Sequence, residues 1–531
     1  MSYQSAKRYP LSEKQWVFSW WVVDNIQDID MQPYFSPYLR NARLEWQSIV
    51  IRPWHNLFAE LTAWSFPKWI GSYLRANSAN DVLVVRHNQW ATDKLVTITE
   101  WWVITSIATA ASIASNNKMR FQNVWDVVYA VNGSDNFGKL SWTTYTTPNT
   151  GISNFAPAFT VVFNSSHWAS GWATNSNKVY KSVADNYEDF NSAWSDIFTF
   201  EEQITWLCAT SQSLFYFTTN TISVTDYNDI TDTAWTITYW TRALTVKEWA
   251  ANHDCICTLG NNIYYLSSSI SINKIARGNS INWFEVLELS DREYEGIKKF
   301  MSSLDKDQSN AFAVAYPDQM LIKWFLYSQW ATFPDVCIVY DTIRDKFLID
   351  WQKYFYWWIY FKWYNYTISA IEAKVYIDEF SQTDEDTAIP FEYWTKWFYL
   401  WSPTEKKLIR EARTLVDINE LAELECYIDL DWWQISAKTV DSDNIPIMDG
   451  WIWVLPIWEF SIWEDWYDDS SSSGDDEYNE IYVLITKWNL NRKGRKVRFR
   501  YINNSLAGKV RLKSIELKTE WLPMEANSLT R

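Results

Sequence analysis

The chain has 531 residues, a formal net charge of −17 and a pI near 4.8. Its length is enough for two or three domains, and the acidic balance argues against nucleic-acid binding through a broad basic surface. Five cysteines, an odd and scattered set, predict no disulfide framework. The N-terminus has no apolar core of a secretory signal, and the most apolar stretch, residues 101–114, is too short to cross a bilayer. We therefore expect a protein made inside a cell, without a signal peptide and without a membrane partner.

The pattern along residues 61–385 predicts a β-propeller. Apolar and polar residues alternate in runs such as DVLVVRH (81–87), SLFYFTT (213–219) and VCIVY (336–340). Turn residues separate these runs every 8 to 12 residues or so, which is typical of sandwiches, barrels and propellers. A four-stranded blade takes about 40 to 50 residues, so this range holds roughly six or seven blades. The best amphipathic helix candidate is 290–304, and we assign residues 1–60 to an extended segment used in assembly.

The sequence pattern changes after residue 385. An acidic stretch ending in Pro390 marks a boundary, and the strand patterns beyond it alternate cleanly nearly to the C-terminus. We predict a β-sandwich over residues 386–531, the size of one domain. Its longest loop is the acidic, Ser-rich stretch 464–480. The predicted fold class is mainly β: a β-propeller followed by a C-terminal β-sandwich domain.

Tryptophan is abundant where glycine is expected. The chain has 38 tryptophans and 12 glycines, whereas ordinary usage predicts about 37 glycines in this length. Residues 95–110, LVTITEWWVITSIATA, read as two strands around a two-residue turn at Trp101-Trp102. Such turns need positive φ and therefore favour Gly, Asn or Asp. The tryptophans that we place in turns or flexible stretches, here called the turn tryptophans, are Trp20, Trp21, Trp54, Trp101, Trp102, Trp357, Trp358, Trp363, Trp432, Trp433, Trp458, Trp463 and Trp466.

One mechanism explains both anomalies of composition. If the gene uses UGA for glycine, a translation that reads UGA as tryptophan places Trp at glycine positions. The strand contexts of Trp240, Trp324 and Trp394 predict that these three are genuine. The alternative is a truly Trp-rich protein that stacks sugars on indoles; tryptophans used in that way fall on one face of strands, at period two.

Motifs for chemistry are scarce, and we predict no enzyme, no cofactor and no metal. His253, Cys255 and Cys257 share one face if they lie on a strand. We favour a buried strand in which the cysteines act as small apolar residues; the alternative is a zinc site with these three residues as ligands. Asp429 and Asp431 also share a face. We favour a solvated hairpin end for this pair; the alternative is general acid–base catalysis by the two carboxylates.

The basic cluster NRKGRKVRFRYIN (491–503) supplies the candidate inter-subunit contacts. They are Arg495, Lys496, Arg498 and Arg500. The two last arginines alternate with apolar residues, which predicts that they line the exposed face of a strand and pair with an acidic surface of a neighbouring subunit. A solvated edge strand protected by its charges is the alternative.

Several stretches resemble a family of phage tail structural proteins, the nozzle or stabilisation (tail tubular B-like) proteins, when the turn tryptophans are read as Gly. FSWWVVDNIQDIDMQPYFSPYLRNARLEWQSIVIRPWHNLFAELTAW is similar to the opening of these proteins, with Arg52-Pro53-Trp54 in place of Arg-Pro-Gly. MRFQNVWDVVYAVNGSDNFGKL resembles their Asn-Gly-x-Asp turn. ANHDCICTLGNNIYYLSSSISINKI resembles a propeller blade, and YWTKWFYLWSPTEKKLIREARTLVDI resembles the strand pair that opens their C-terminal domain.

This resemblance implies a virion component: a bacteriophage tail nozzle subunit, made in the host cytoplasm, that forms a ring around the DNA exit channel. Its implied partners are other copies of itself and adjacent tail or adaptor proteins, with DNA only in transit. An acidic wall suits such a channel, because like charge keeps phosphates from sticking. The rival interpretation is a glycan-binding propeller with genuine surface tryptophans. A propeller hydrolase needs convergent carboxylates or histidines, and the sequence shows no such set.

Overall fold

The structure is a computed structural model of the whole chain. The residues that it describes are 12–17, 21–22, 35–36, 38–40, 42–45, 48–51, 54–61, 65–74, 81–89, 92–101, 103–109, 113, 117–141, 144–192, 194–227, 230–233, 236–239, 241–244, 249–278, 284–290, 297–351, 355–362, 364–369, 372–381, 391–395, 398–399, 407–419, 423–431, 433–440, 481–494, 496–503 and 510–521. The loop 464–480, Arg495 and Trp240 lie outside them.

The strands of the N-terminal segment and of the first half of the propeller are short and antiparallel with few exceptions. The N-terminal strands are β1 (Ser12–Val17), β2 (Trp21–Val22), β3 (Phe35–Ser36), β4 (Tyr38–Arg40), β5 (Ala42–Glu45), β6 (Ser48–Ile51) and β7 (Trp54–Glu60). Blade 1 contains β8 (Ser65–Tyr73), β9 (Val82–Gln89), β10 (Thr92–Thr99) and β11 (Ile104–Ser106). Blade 2 contains β12 (Ala108–Thr109), β13 (Arg120–Val124), β14 (Val127–Val131), β15 (Gly138–Ser141) and β16 (Thr144–Thr146). Blade 3 contains β17 (Phe159–Phe163), β18 (Ser166–Trp172), β19 (Asn175–Lys181) and β20 (Asp196–Thr199).

The second half repeats the same four-stranded unit. Blade 4 contains β21 (Ile204–Ala209), β22 (Ser213–Thr218), β23 (Ile222–Asp226) and β26 (Arg242–Leu244), with a separate hairpin of β24 (Ile230–Thr233) and β25 (Thr236–Tyr239) inserted. Blade 5 contains β27 (Ile256–Leu259), β28 (Asn262–Leu266), β29 (Ile272–Arg277) and β30 (Phe284–Glu288), followed by helix α1 (Ile297–Ser302). Blade 6 contains β31 (Phe312–Tyr316), β32 (Leu321–Leu326), β33 (Val336–Asp341) and β34 (Lys346–Trp351). Blade 7 contains β35 (Phe355–Phe361), β36 (Tyr364–Ser369), β37 (Lys374–Ser381) and β7.

The first strands of the blades meet in a closed ring. In the order β8, β13, β17, β21, β27, β31 and β35, each contacts the next, and β35 contacts β8. These strands therefore surround one axis, and the described residues form a seven-bladed propeller, at the upper end of the number predicted from length.

The core of the propeller lies between adjacent blades. Successive side chains of a strand point to opposite faces of its sheet, and both faces of each blade are covered. In β9, Val82 and Val84 pack towards blade 2, while Leu83 and Val85 pack towards blade 7. The continuous apolar run of this strand follows directly from the double burial.

The ring closes through a strand from the N-terminal segment. Strand β7 pairs antiparallel with β37, with Ala59 opposite Val375 and Leu57 opposite Tyr376. Blade 7 thus combines residues more than 300 positions apart in the chain. Strand β7 belongs to the range 1–60 that the sequence assigned to an extended assembly segment.

The C-terminal domain is a sandwich of two sheets. Its strands are β38 (Phe391–Trp394), β39 (Phe398–Tyr399), β40 (Lys407–Asn419), β41 (Leu424–Leu430), β42 (Trp433–Val440), β43 (Ile481–Gly494), β44 (Lys496–Asn503) and β45 (Val510–Trp521). One sheet has the order β43-β40-β45-β6-β5 with β1 also on β45, and the other has β4-β38-β44-β41-β42 with β39 also on β44. Val416 and Leu517 of the first sheet pack with Ile428 and Phe499 of the second in one buried cluster. The predicted sandwich is confirmed, and strands of the N-terminal segment complete both of its sheets.

Two local predictions were wrong. The turn between β10 and β11 spans three residues, not two, because the amide of Thr99 donates to the carbonyl of Val103 (3.1 Å). Five of the turn tryptophans lie in strands instead of turns, since aromatic residues are favoured in strands: Trp21 in β2, Trp54 in β7, Trp357 and Trp358 in β35, and Trp433 in β42. Within the predicted helix 290–304 the structure has helix α1 (Ile297–Ser302), and residues 291–296 lie outside the described residues.

Candidate functional site

A cluster of buried charged residues lies at the axis of the propeller, at a turn that precedes blade 5. Residues His253–Cys255 form a single 3₁₀ turn. The Asn252 side chain caps this turn, since its Oδ1 accepts from the amides of Asp254 (2.6 Å) and Cys255 (3.1 Å). The Asn252 amide group also donates to the carbonyls of Gln308 and Ala311, which anchors the turn to blade 6. The cap fixes where Asp254 points.

Asp254 forms ion pairs with blade 2. Its carboxylate lies 2.5 Å from Lys118 Nζ and 3.1 Å from Arg120 NH2, and the His253 ring nitrogen Nε2 lies 3.0 Å away. The Asp254 side chain is fully buried. Blades 2 and 5 are three positions apart around the ring of seven, so these contacts cross the axis. We call Lys118, Arg120, His253 and Asp254 the axial ion-pair cluster.

The protonation states of the axial ion-pair cluster follow from burial and charge. Burial by itself raises the pKa of Asp254, but the positive charges of Arg120 and Lys118 and the adjacent His253 outweigh it and lower this pKa to about 2. Burial lowers the pKa of His253 to about 3, against the opposing effect of Asp254. At neutral pH Asp254 is therefore ionised and the His253 imidazole is neutral.

Aromatic side chains surround the axial ion-pair cluster. Trp69 and Trp357 meet edge to face at 5.3 Å, and Phe312 lies 5.5 Å from Trp357. Phe159 and Trp206 meet at 5.3 Å. Every blade thus contributes at least one residue to the axis, and the cations lie over the rings: Lys118 over Trp69 and Trp357, and Arg120 over Phe159 and Trp206. Ion pairs and ring contacts of the described residues therefore connect blades across the axis.

A pH effect arises from two buried histidines. Burial also lowers the pKa of His167 to about 4, whereas an unfolded chain binds its histidine protons near pH 6.5. Above that pH both histidines are neutral in the folded and in the unfolded protein, and burial of the imidazoles does not reduce stability. As the pH falls towards the pKa values of the folded state, the unfolded chain binds protons that the folded protein does not, and stability is lost. We expect the free energy of unfolding to fall by about 1.6 kcal/mol for each histidine between pH 6.5 and 5. Urea titrations of the protein and of His167→Gln measure it; an unchanged slope in the variant contradicts the assignment to His167.

The described members of the predicted basic contacts lie in the sandwich, on a strand that is paired on both sides. Strand β44 pairs with β38 on one side and β41 on the other, so the edge-strand alternative is wrong. Arg498 NH2 lies 2.9 Å from Asp429 Oδ2, and Arg500 Nε lies 2.9 Å from the same oxygen. Asp429 is buried, so its prediction as part of a solvated hairpin end was also wrong. Lys496 is buried as well, and Arg495 lies outside the described residues. Contact with a neighbouring subunit stays a prediction for all four basic residues.

The cysteine motif does not share a strand face. His253 and Cys255 belong to the 3₁₀ turn, and strand β27 begins only at Ile256, so the geometry considered for zinc is wrong. Cys255 is fully buried, as the favoured interpretation predicted. Burial raises the pKa of Cys257 well above its usual value, and among the described residues no three metal-binding side chains cluster.

Sequence reasoning missed the axial ion-pair cluster because its members are remote in the chain. Lys118 and Asp254 are separated by 136 residues, and no local spacing signals such a pair. The local signal in the sequence was a polar dipeptide, His253-Asp254, directly before an apolar strand. The propeller also contains a polar pocket of about 90 Å³ near Phe137 and Asn149, which is small for an organic ligand.

Known proteins resemble the chain only in outline. No protein-family model and no curated protein matches it. Among solved structures, YCF48 bound to D1 peptide is 10% identical with a TM-score of 0.40, over 64% of this chain and 98% of that one. BamB from Moraxella catarrhalis is 9% identical with a TM-score of 0.35, over 64% and 96%. PorZ from Porphyromonas gingivalis is 7% identical with a TM-score of 0.35, over 75% and 44%. No helix in the described part of the chain has the length and apolarity to cross a membrane.

Proposed function

We propose that this protein is a structural, non-enzymatic subunit of a bacteriophage tail, of the nozzle or stabilisation type. It assembles with copies of itself into a ring that lines the DNA exit channel and joins neighbouring tail proteins in the virion. The sequence resemblance suggests this class, and the way in which the N-terminal strands join the two domains is the structural observation that supports it most directly.

The N-terminal segment connects the two domains mechanically. Strands β1 and β6 pair with β45, β4 pairs with β38, and β7 completes blade 7. Strand β6 of the sandwich ends at Ile51 and β7 of the propeller begins at Trp54, so a force that separates the two domains acts directly on these paired strands. Such a joint suits a subunit that bears load while DNA leaves under pressure.

The proposal puts the DNA channel between subunits of the ring and not along the propeller axis. The axial ion-pair cluster and its aromatic neighbours lie at the centre of the propeller, which supports this choice. A net charge of −17 supports that role, because a lumen wall of like charge does not retain the phosphate backbone.

The test combines particle composition with assembly. Peptide mass spectrometry on density-purified phage particles is expected to find this protein, and light scattering with negative-stain microscopy of the purified protein is expected to find rings. Absence from purified particles contradicts the virion assignment. A protein that stays monomeric at every concentration examined contradicts the ring.

A glycan-binding propeller is the second candidate, and one arrangement favours it. Trp101, Trp125 and Trp194 are exposed and lie in turns of blades 1, 2 and 3. Because neighbouring strands are antiparallel, turns from a first to a second strand and from a third to a fourth emerge at the same face. The three indoles thus share one face of adjacent blades, whereas Trp330 lies in a turn of the opposite face.

A glycan array separates the two candidates. If the indoles bind sugars, the triple variant Trp101→Ala, Trp125→Ala, Trp194→Ala loses binding, and the matched control Trp330→Ala keeps it. Absence of binding to any glycan by the unaltered protein contradicts this second candidate.

A further inference from the structure

Two exposed tryptophans have a backbone conformation that favours glycine. The backbone φ angle is +52° at Trp125 and +72° at Trp330. Side chains with a Cβ rarely adopt this left-handed region, which costs roughly 1–2 kcal/mol per residue, and tryptophan lacks the short polar group with which Asn or Asp offsets the cost. Neither position was recognised from the sequence as a turn tryptophan.

The turn at Trp330 has a backbone conformation that favours glycine. The amide of Ala331 donates to the carbonyl of Ser328 (3.2 Å), which makes Trp330 the third residue of a four-residue turn. A positive φ at that place defines a type II turn, whose third residue is usually Gly. The Trp330 side chain is 95% exposed, so no packing offsets the strain.

The hairpin at Trp125 has a matched counterpart in the same propeller. Trp125 is the first of two residues between the paired Val124 and Val127, and it is 84% exposed. Gly260 is likewise the first of two residues between paired strand ends in blade 5, with φ +60°. The same turn position thus holds Gly in one blade and Trp in another.

Other tryptophans have the environment of genuine indoles. Trp168 is fully buried between blades 3 and 4, and its Nε1 donates to the carbonyl of Phe163 (3.0 Å). The Trp394 Nε1 donates to Glu392 (2.6 Å), in agreement with the sequence interpretation of Trp394. Trp324 is also fully buried in the core between blades 5 and 6.

We propose that the codons of Trp125 and Trp330 are translated as glycine in the organism that makes this protein, while Trp168 is translated as tryptophan. The assignment depends on backbone conformation, exposure and the hydrogen bond of the buried indole. It does not depend on the proposed function, and it stands whether or not the protein belongs to a virion.

Peptide mass spectrometry of the protein from its own cells tests the assignment directly. The tryptic peptide 121–139 contains Trp125 as its only tryptophan, and the peptide 324–344 contains Trp324 and Trp330. We expect glycine at 125 and 330 and tryptophan at 168. Tryptophan at 125 or at 330, or glycine at 168, overturns the proposal.

Stability measurements on protein made with the standard code add an independent readout. We expect Trp125→Gly and Trp330→Gly each to lower the unfolding equilibrium constant about tenfold. Trp168→Gly is the matched control and is expected to raise this constant strongly. An increase for both turn variants overturns the proposal, because the indoles then stabilise the fold.

Discussion

Replacing Asp254 by Asn is expected to destabilise the propeller by about 3–5 kcal/mol, because it leaves the buried charges of Lys118 and Arg120 without their anion. The side chain keeps its volume, so the loss reports charge rather than packing. Urea unfolding followed by tryptophan fluorescence measures it.

A matched control distinguishes the axial ion-pair cluster from ordinary ion pairs. Glu188→Gln removes the partner of Lys139 in a pair whose side chains are each 28% exposed, and its expected cost is below about 1 kcal/mol. The double variant Asp254→Asn, Lys118→Met is expected to recover part of the loss, since it removes one of the stranded cations. Equal costs for Asp254→Asn and Glu188→Gln contradict the joining role of the cluster.

A charged residue on the buried face of strand β7 is expected to open the ring of blades. Ala59 is buried between blades 7 and 1, so Ala59→Asp places an unpaired carboxyl group in an apolar core, at an expected cost of about 3–5 kcal/mol. Limited proteolysis of blade 7 and urea unfolding measure the effect. The expected early cleavage of β37 reflects the loss of its outer partner β7.

The same strand supplies the control for this variant. Leu57 also pairs with β37 but is exposed, so Leu57→Asp is expected to change the free energy of unfolding by less than about 0.5 kcal/mol. If both variants behave alike, β7 does not hold the ring closed.

Alternation of apolar and polar residues was enough to predict a mainly β chain, the propeller and the sandwich. The pattern is reliable for locating strands because side-chain direction along a strand is a local property. Burial of Cys255 was predicted, although its placement on a strand was wrong. Turn chemistry also drew attention to tryptophan in place of glycine, since the steric limit on positive φ acts within one residue.

Contacts between distant residues were decided only by the tertiary structure. The pairing of β7 with β37, the salt bridges of Asp254 with Lys118 and Arg120, and those of Asp429 with Arg498 and Arg500 join segments between about 69 and 320 residues apart. A charged side chain has the same local pattern whether it faces water or a remote partner, so Asp429 was placed in solvent from sequence. The three-residue turn after Thr99 and the positive φ of Trp125 and Trp330 likewise depend on strand register. The sequence by itself determined which residues form strands and which faces are apolar, because those are local properties; closure of the ring decided which charges become buried and paired.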